Sequence, residues 1–478
     1  MTPDDQSEAS LWTSPILWTW ASIGARVLAI GATLPLVATM FPESEAALWF
    51  LFITIASLQL VADLSFSSVF GRFVAYAVGG ADNLGDQGGA GSAAALAAPN
   101  VALLRDIHAT TRPVYACIAG LWLVFAGAFG AWAAVDLVRN VANPVAAAIA
   151  GIVVVIATAT RLYGNRYTAV LFGLSEFVEW RRFEAVAWIA SAILGVGCVL
   201  AGAGLLGLTM AFFGFITAIS VVCRTLAARA LRRIVGAEGV GKVDARVLKE
   251  VLPRAWRGGF GVLLHVGTMH ALTISVARLE PGTTAAGYLL AYNVARAIDQ
   301  LAQAPFYTKL PALARSRARG ATTEFRALAV SGMKVSYWVL AVGLAAAALL
   351  AAPLLQLIRS QTQFVDAGVW AALAGSMFFE RYGATHLQSF MTTNRVVVHV
   401  ANGIAGVLTL ASAYVLYPSV GLLGIPLASL LANGLWYAPY GAVKSRAVLG
   451  GDVLKFELST SAGPAAVLAA AIVISCLA

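Results

Sequence analysis

Long apolar runs alternate with short basic connections along most of this chain. At about 20 residues per membrane crossing, the apolar windows predict helices at 15–41, 46–71, 113–135, 144–172, 183–206, 207–231, 257–279, 284–310, 328–355, 366–392, 396–417 and 420–441. A further run, 463–478, is short for a crossing. Within 287–319 the pattern changes, because Asn293, Arg296, Gln300, Gln303 and Tyr307 recur at alternating steps of three and four. On a helix these positions share one polar stripe, while the other faces are Leu, Ala, Ile and Val. Arg296 and Asp299 fall about a dozen residues into that helix, where an ionised group is costly enough to imply a bundle interior or a water-filled cavity.

Composition fixes the class. Hydrophobic residues make up 60% of 478 and charged ones 12%, with a mean hydropathy of +0.81, against roughly 25% charged residues in a soluble domain. The expected fold is all-α, a polytopic membrane protein with 12 or 13 transmembrane helices. The net charge of +9 would suggest nucleic acid in a soluble chain, but here it reads as basic cytoplasmic connections. Cys117, Cys198, Cys223 and Cys476 lie far apart in apolar runs, with no CxxC and no His at ligand spacing, so they read as small hydrophobes and no metal site is expected. The acidic start MTPDDQSEAS, followed by an apolar run too long for a signal-peptide core, leaves the first helix as an anchor.

Orientation follows from the 32 Lys and Arg residues. All but Arg139, Arg278, Arg359 and the intrahelical Arg26, Arg296 and Lys334 are assigned to connections on one side, at 72–112, 161–182, 224–257, 309–326, 381–395 and 444–455. That side is expected to be cytoplasmic, with the N-terminus on it. The segment 228–257 sets Val243, Val247, Leu248, Val251 and Leu252 against Lys242, Arg246, Lys249 and Glu250, a basic amphipathic helix suited to a membrane interface. It divides the chain into an N-terminal tail (1–14), an N-lobe (15–235), a linker (236–256), a C-lobe (257–445) and a C-terminal segment (446–478). A shift of 239 positions places Val37-Ala38 on Val276-Ala277, Pro42 on Pro281, Trp49 on Tyr288 and Leu51 on Leu290. Parallel six-helix repeats of this kind place a transporter's substrate between them.

The ionisable groups inside spans are the candidate chemistry. Arg26 lies about eleven residues into the first helix, either as a cavity cation for an anionic headgroup or in a structural pair with Asp63. Arg296 reads as a cavity cation or as a local pair with Asp299. Asp63, Asp299 and Glu380 either neutralise arginines or couple an ion, and Asn293, Gln300 and Gln303 offer hydrogen bonds to a substrate. Lys334 is close enough to the cytoplasmic end to snorkel. His265, His270, His386 and His399 read as interhelical hydrogen bonders or as proton-coupling sites. The stretch GAEGVGKV at 236–243 fits GxxxxGK but lacks the Ser or Thr for Mg²⁺ and follows no strand. No nucleotide and no other cofactor is therefore expected, and energy would come from an ion gradient, the membrane potential or the substrate gradient.

Three stretches carry a family resemblance. The segment 39–77, with Asp63, Ser65 where Gly is frequent, and Arg72, resembles the first external turn and second helix of the polysaccharide-exporter branch of the multidrug/oligosaccharidyl-lipid/polysaccharide superfamily. Segments 166–185 and 287–320 resemble that branch's fourth connection and eighth helix. The resemblance implies two six-helix lobes flipping a polyprenyl-diphosphate-linked oligosaccharide across the bacterial inner membrane by alternating access. The polyprenyl tail would stay in the membrane lipid, and polysaccharide-assembly machinery would be a partner. Arg26-Val27-Leu28 looks like the cavity arginine that meets the diphosphate in related flippases. The multidrug branch, which relies on cavity carboxylates, is the alternative. A membrane-embedded glycosyltransferase or polymerase is disfavoured by the short external connections, and no enzyme is expected.

Overall fold

The structure is a computed structural model that describes residues 14–82, 84–85, 98–236, 241–357 and 363–477. Backbone contacts divide the chain into two units, Met1–Asn83 with Ala98–Ala255, and Leu84–Ala97 with Trp256–Ala478. The first holds α1 (Pro15–Met40), α2 (Glu43–Ala62), α3 (Phe66–Val78), α4 (Val101–Arg139), α5 (Pro144–Leu174), α6 (Phe177–Leu200) and α7 (Gly204–Val235). Helix α8 (Ala245–Leu279) carries the chain into the second, which continues with α9 (Gly282–Tyr307), α10 (Leu310–Ala318), α11 (Thr322–Leu357), α12 (Ala367–Met391) and α13 (Val398–Val420). The chain ends with α14 (Gly424–Ala432), a π turn at Asn433–Tyr437, α15 (Ala438–Leu449), α16 (Val453–Thr460) and α17 (Ala462–Leu477).

Among the described residues there is no strand, and eight helices are long and apolar enough to cross a membrane. A ninth results if α16 and α17, bent by 53°, form one broken span. Helices α9 and α12, 26 and 25 residues long, have comparable length but each carries two ionisable side chains in its middle.

Two departures from the hydrophobic pattern have local causes. The second apolar run, expected as one helix over 46–71, breaks between α2 and α3. There Leu64 and Ser65 take left-handed φ values of 45° and 62°, and the Asp63 carboxylate accepts the Ser67 N–H at 3.1 Å. A short acidic side chain that satisfies a backbone donor ahead of it competes with helix continuation, and neither apolar neighbour signals this. Conversely, the amphipathic stretch expected as a separate linker runs without interruption into the next span as α8, with Pro253 inside the helix. The N-terminal tail, residues 237–240 of the GxxxxGK stretch and most of the 79–99 connection lie outside the described residues.

The 239-residue shift has a geometric counterpart. Pro42 caps α2 at φ −57°, ψ 152°, and Pro281 caps α9 at φ −55°, ψ 148°. Pro suits this position because its missing N–H would be unpaired there anyway.

In lipid, helices associate through close packing and not through release of water. The first unit packs Trp49 edge-on against Phe212 and Phe213, at 5.5 and 6.4 Å between ring centroids. Helices α3 and α5 approach so closely that a Cβ at Gly173 would lie 2.5 Å from the Gly71 carbonyl oxygen. The second unit repeats the device, since a Cβ at Gly441 of α15 would meet the Gly383 oxygen of α12 at 2.7 Å. Its core centres on Tyr337, Met333, Phe306 and Phe378. The apolar run 463–478 contributes α17, whose Leu468 belongs to that core.

Candidate functional site

Each unit concentrates ionisable groups inside apolar helices. In the first, the centre is Glu184 of α6, buried to 7% exposure. Its Oε2 accepts Ser22 Oγ of α1 at 2.7 Å and Arg181 Nη1, one turn away on α6, at 2.6 Å. Arg161 Nη2 of α5 stands 3.7 Å from Oε1, and the buried Arg161 Nη1 makes no hydrogen bond. Arg26, one turn beyond Ser22 on α1, is exposed and lies within electrostatic reach of Glu184, Arg161 and Arg181. Two guanidinium groups thus meet one carboxylate with a third in electrostatic reach, and each of the three helices is apolar enough to span a membrane. Indole faces flank the cluster, with Arg181 over Trp180 at 4.3 Å and Arg182 over Trp18 at 5.0 Å.

Asp63 is a separate, buried carboxylate in the same unit. Its hydrogen-bond donors among the described residues are neutral: Ser67 Oγ at 2.7 Å and Asn165 Nδ2 at 3.0 Å, with Tyr115 Oη 3.0 Å from the same Ser67 hydroxyl. The acid near Arg26 is therefore Glu184, and Asp63 serves the α2–α3 break.

The cluster in the second unit is charge-balanced. Arg296 of α9 donates from Nη1 to Glu380 Oε1 of α12 at 2.8 Å, and its Nε donates to Tyr292 Oη at 3.0 Å. His265 Nε2 of α8 lies 3.3 Å from Arg296 Nη2 and 3.6 Å from Glu380 Oε1. Asp299, whose side chain is 3.9 Å from Arg296, pairs instead with Arg381 of α12 in a two-pronged contact at 2.9 and 2.6 Å. Adjacent residues on α12 point about 100° apart, so Glu380 and Arg381 each take one member of the α9 pair. A polar cleft of about 20 Å³, lined by His265, Glu380, Asn402, Asn433 and Tyr437 among others, opens beside Glu380, with room for about one water. The π turn supplies Asn433 and Tyr437, and Asn433 Nδ2 is held by Ser376 Oγ at 3.1 Å. Asn293 and Gln300 are exposed on the outer edge of the α9 stripe, Gln303 is half-buried, and Asn293 Nδ2 donates to the Leu289 carbonyl of its own helix at 2.8 Å.

Sequence pattern singled out Arg26, Arg296, Asp299 and Glu380, yet missed Glu184, Arg161, Arg181 and Arg381. The fifth helix was expected from 183 but begins at Phe177, which consigned Arg181 to a connection. Arg161 and Arg381, deep in their apolar runs, were also assigned to connections. The signal that identifies them is depth within a span. A cavity of about 490 Å³ is lined by apolar residues of α2, α4 and α5 with Arg139 at its edge, and offers little polar chemistry.

This arrangement of helices is the fold of the MATE and MOP-superfamily membrane transporters. The chain is similar to a MATE in its bent conformation, with a TM-score of 0.68 and 12% identity over 90% of this chain and 94% of that one. It is also similar to a MATE in the straight conformation (TM-score 0.65, 14% identity, 92% and 98% covered) and to a MOP superfamily transporter from Pyrococcus furiosus (TM-score 0.65, 13% identity, 91% and 95% covered). No family model and no curated protein matches the sequence.

Proposed function

We propose that this chain is a membrane transporter for an anionic, lipid-linked glycan, a polyprenyl-diphosphate oligosaccharide, moved across the bacterial inner membrane by alternating access. The carrying observation is the gathering of guanidinium groups around Glu184. Arg161 and Arg181 share this carboxylate and Arg26 lies within electrostatic reach of it, and cations gathered inside a span favour an anionic ligand. A diphosphate supplies both the charge and the bidentate oxygens that guanidinium groups match. Arg26 meets it first, because it is exposed, while Glu184 holds Arg161 and Arg181 in place when the site is empty. For the Pyrococcus furiosus transporter, a binding pocket of reversed polarity suggested a different function, so pocket polarity is a reasonable basis for a reading within this fold. In the second unit Arg296 is engaged by Glu380, and it reaches substrate only if that pair opens. The basic connections support a cytoplasmic N-terminus.

The test is surface polysaccharide in a strain whose own copy carries Arg26→Gln with Arg161→Gln, at matched membrane levels of the protein. Loss of the glycan supports the reading, and normal glycan in the double variant removes it. A second reading, ion-coupled multidrug export, draws on the His265–Glu380–Arg296 cluster and on Asp63, whose donors are neutral. Drug sensitivity with unchanged glycan on deleting the gene selects it.

A further inference from the structure

A second polar cavity, of about 340 Å³, lies in the second unit between α12, α15 and α16. Neither charge cluster described above contributes to it. Its inner wall is His386, 2% exposed, with Glu457. His386 Nδ1 lies 2.6 Å from Ser445 Oγ, and the Ser445 hydroxyl donates to the Ala442 carbonyl at 2.9 Å. With the single Ser445 hydroxyl hydrogen directed at that carbonyl, Nδ1 carries the imidazole proton and Nε2 holds a lone pair. That Nε2 has no hydrogen-bond partner and stands 3.9 Å from Glu457 Oε1. Glu457 accepts Tyr382 Oη at 2.6 Å on Oε1 and Ser461 Oγ at 2.6 Å on Oε2. The inner end of the cavity therefore presents acceptors and one negative charge, walled by the Tyr382 ring at 4.3 Å from the imidazole and Phe456 at 5.9 Å.

Such a wall selects a cationic group that still has hydrogens to donate. A primary ammonium satisfies both Nε2 and the carboxylate and sits against aromatic faces. A quaternary ammonium would leave Nε2 unpaired, at the cost of a buried unsatisfied acceptor. The mouth has the opposite character. Arg446 is exposed there, and Gly450 and Gly451, at φ 57° and 70°, turn the chain without placing side chains over the opening.

We propose that this cavity binds a zwitterion whose primary ammonium rests against Glu457 and His386 and whose phosphate, one short linker away, meets Arg446. Two sources carry this chemistry, the headgroup of an ethanolamine phospholipid and free phosphoethanolamine. At 340 Å³ the cavity is roughly ten times the volume of one water in the liquid, ample for such a headgroup. The end of α15, with Lys444 and Arg446, is among the basic segments expected at the cytoplasmic surface, where a lipid headgroup would be at hand.

The experiment uses the full-length protein in nanodiscs containing equal parts of phosphatidylethanolamine, phosphatidylcholine and phosphatidylglycerol, with retained lipid identified by native mass spectrometry. Phosphatidylethanolamine is expected to be retained about tenfold over the other two, the ratio given by one charge-assisted hydrogen bond. Glu457→Gln should reduce that preference to about twofold. Arg446→Gln, at an exposed position, keeps the test valid if the Glu457 variant does not fold, and should lower phosphatidylethanolamine retention. A thermal shift with free phosphoethanolamine, and no lipid preference, would assign the soluble source. Equal retention of the three lipids with no shift by phosphoethanolamine, or an unchanged preference in both variants, overturns the proposal.

Discussion

The two units use the same helical device and opposite electrostatics. Both open with a long helix followed by a proline-capped one, and both bring two helices together at a glycine pair. In the first unit Arg161 and Arg181 share Glu184 with Arg26 in electrostatic reach; in the second two arginines meet two carboxylates, Arg296 with Glu380 and Arg381 with Asp299. A balanced pair buried in a helix bundle is largely self-sufficient, whereas several guanidinium groups gathered at one carboxylate favour water or an anion nearby. Under the proposed function, the contrast assigns a structural role to the second unit's cluster and a binding role to the first's.

The sharpest way to break this contrast is at Asp299, 6% exposed with Arg381 also at 6%. Asp299→Ala strands a buried guanidinium and is expected to cost about 3–5 kcal/mol, read as a large fall in the thermal midpoint of the purified protein. A small fall would mean that Arg381 is not committed to Asp299, and the two units would no longer differ in kind.

Arg26→Gln and Arg161→Gln should do the reverse. Neither removes the sole partner of a buried acid, because Arg181 and Ser22 still hold Glu184. Transport is expected to fall at least about tenfold, the equivalent of about 1.4 kcal/mol, while the thermal midpoint changes little. A midpoint fall comparable with that of Asp299→Ala would mark these arginines as structural.

Much of the fold was legible because a membrane helix announces itself by length and hydropathy, and the Pro42–Pro281 match survived as a shared cap. The α2–α3 break was not legible, since it depends on the backbone at Leu64 and Ser65 inside an apolar run. For the sites, sequence depth exposed Arg26, Arg296, Asp299 and Glu380, but partners were beyond reach. Asp299 is three residues from Arg296 and yet pairs with Arg381, 82 positions away. Glu184 escaped notice because pairing across α1, α5 and α6 leaves no periodic trace in any one helix.

Two smaller effects sharpen the picture. Ser65→Gly relieves a left-handed non-glycine residue and is expected to stabilise the first unit by about 1 kcal/mol, visible as a modest rise in thermal midpoint without loss of transport. Destabilisation would show that the Ser65 side chain contributes more than its backbone costs. Asn293→Ala should change stability by less than about 0.5 kcal/mol, because its amide bonds only its own helix. Any strong loss of transport would then place Asn293 against substrate.

The most direct measurement is a titration of the purified protein with polyprenyl diphosphate, followed by tryptophan fluorescence, since Trp18 and Trp180 stack on arginines bordering the first-unit cluster. Binding should weaken at least about tenfold in the Arg26→Gln, Arg161→Gln double variant, and a polyprenyl alcohol without phosphates should not compete. Equal affinity in wild type and double variant, or equal affinity for diphosphate and alcohol, would contradict an anion site around Glu184.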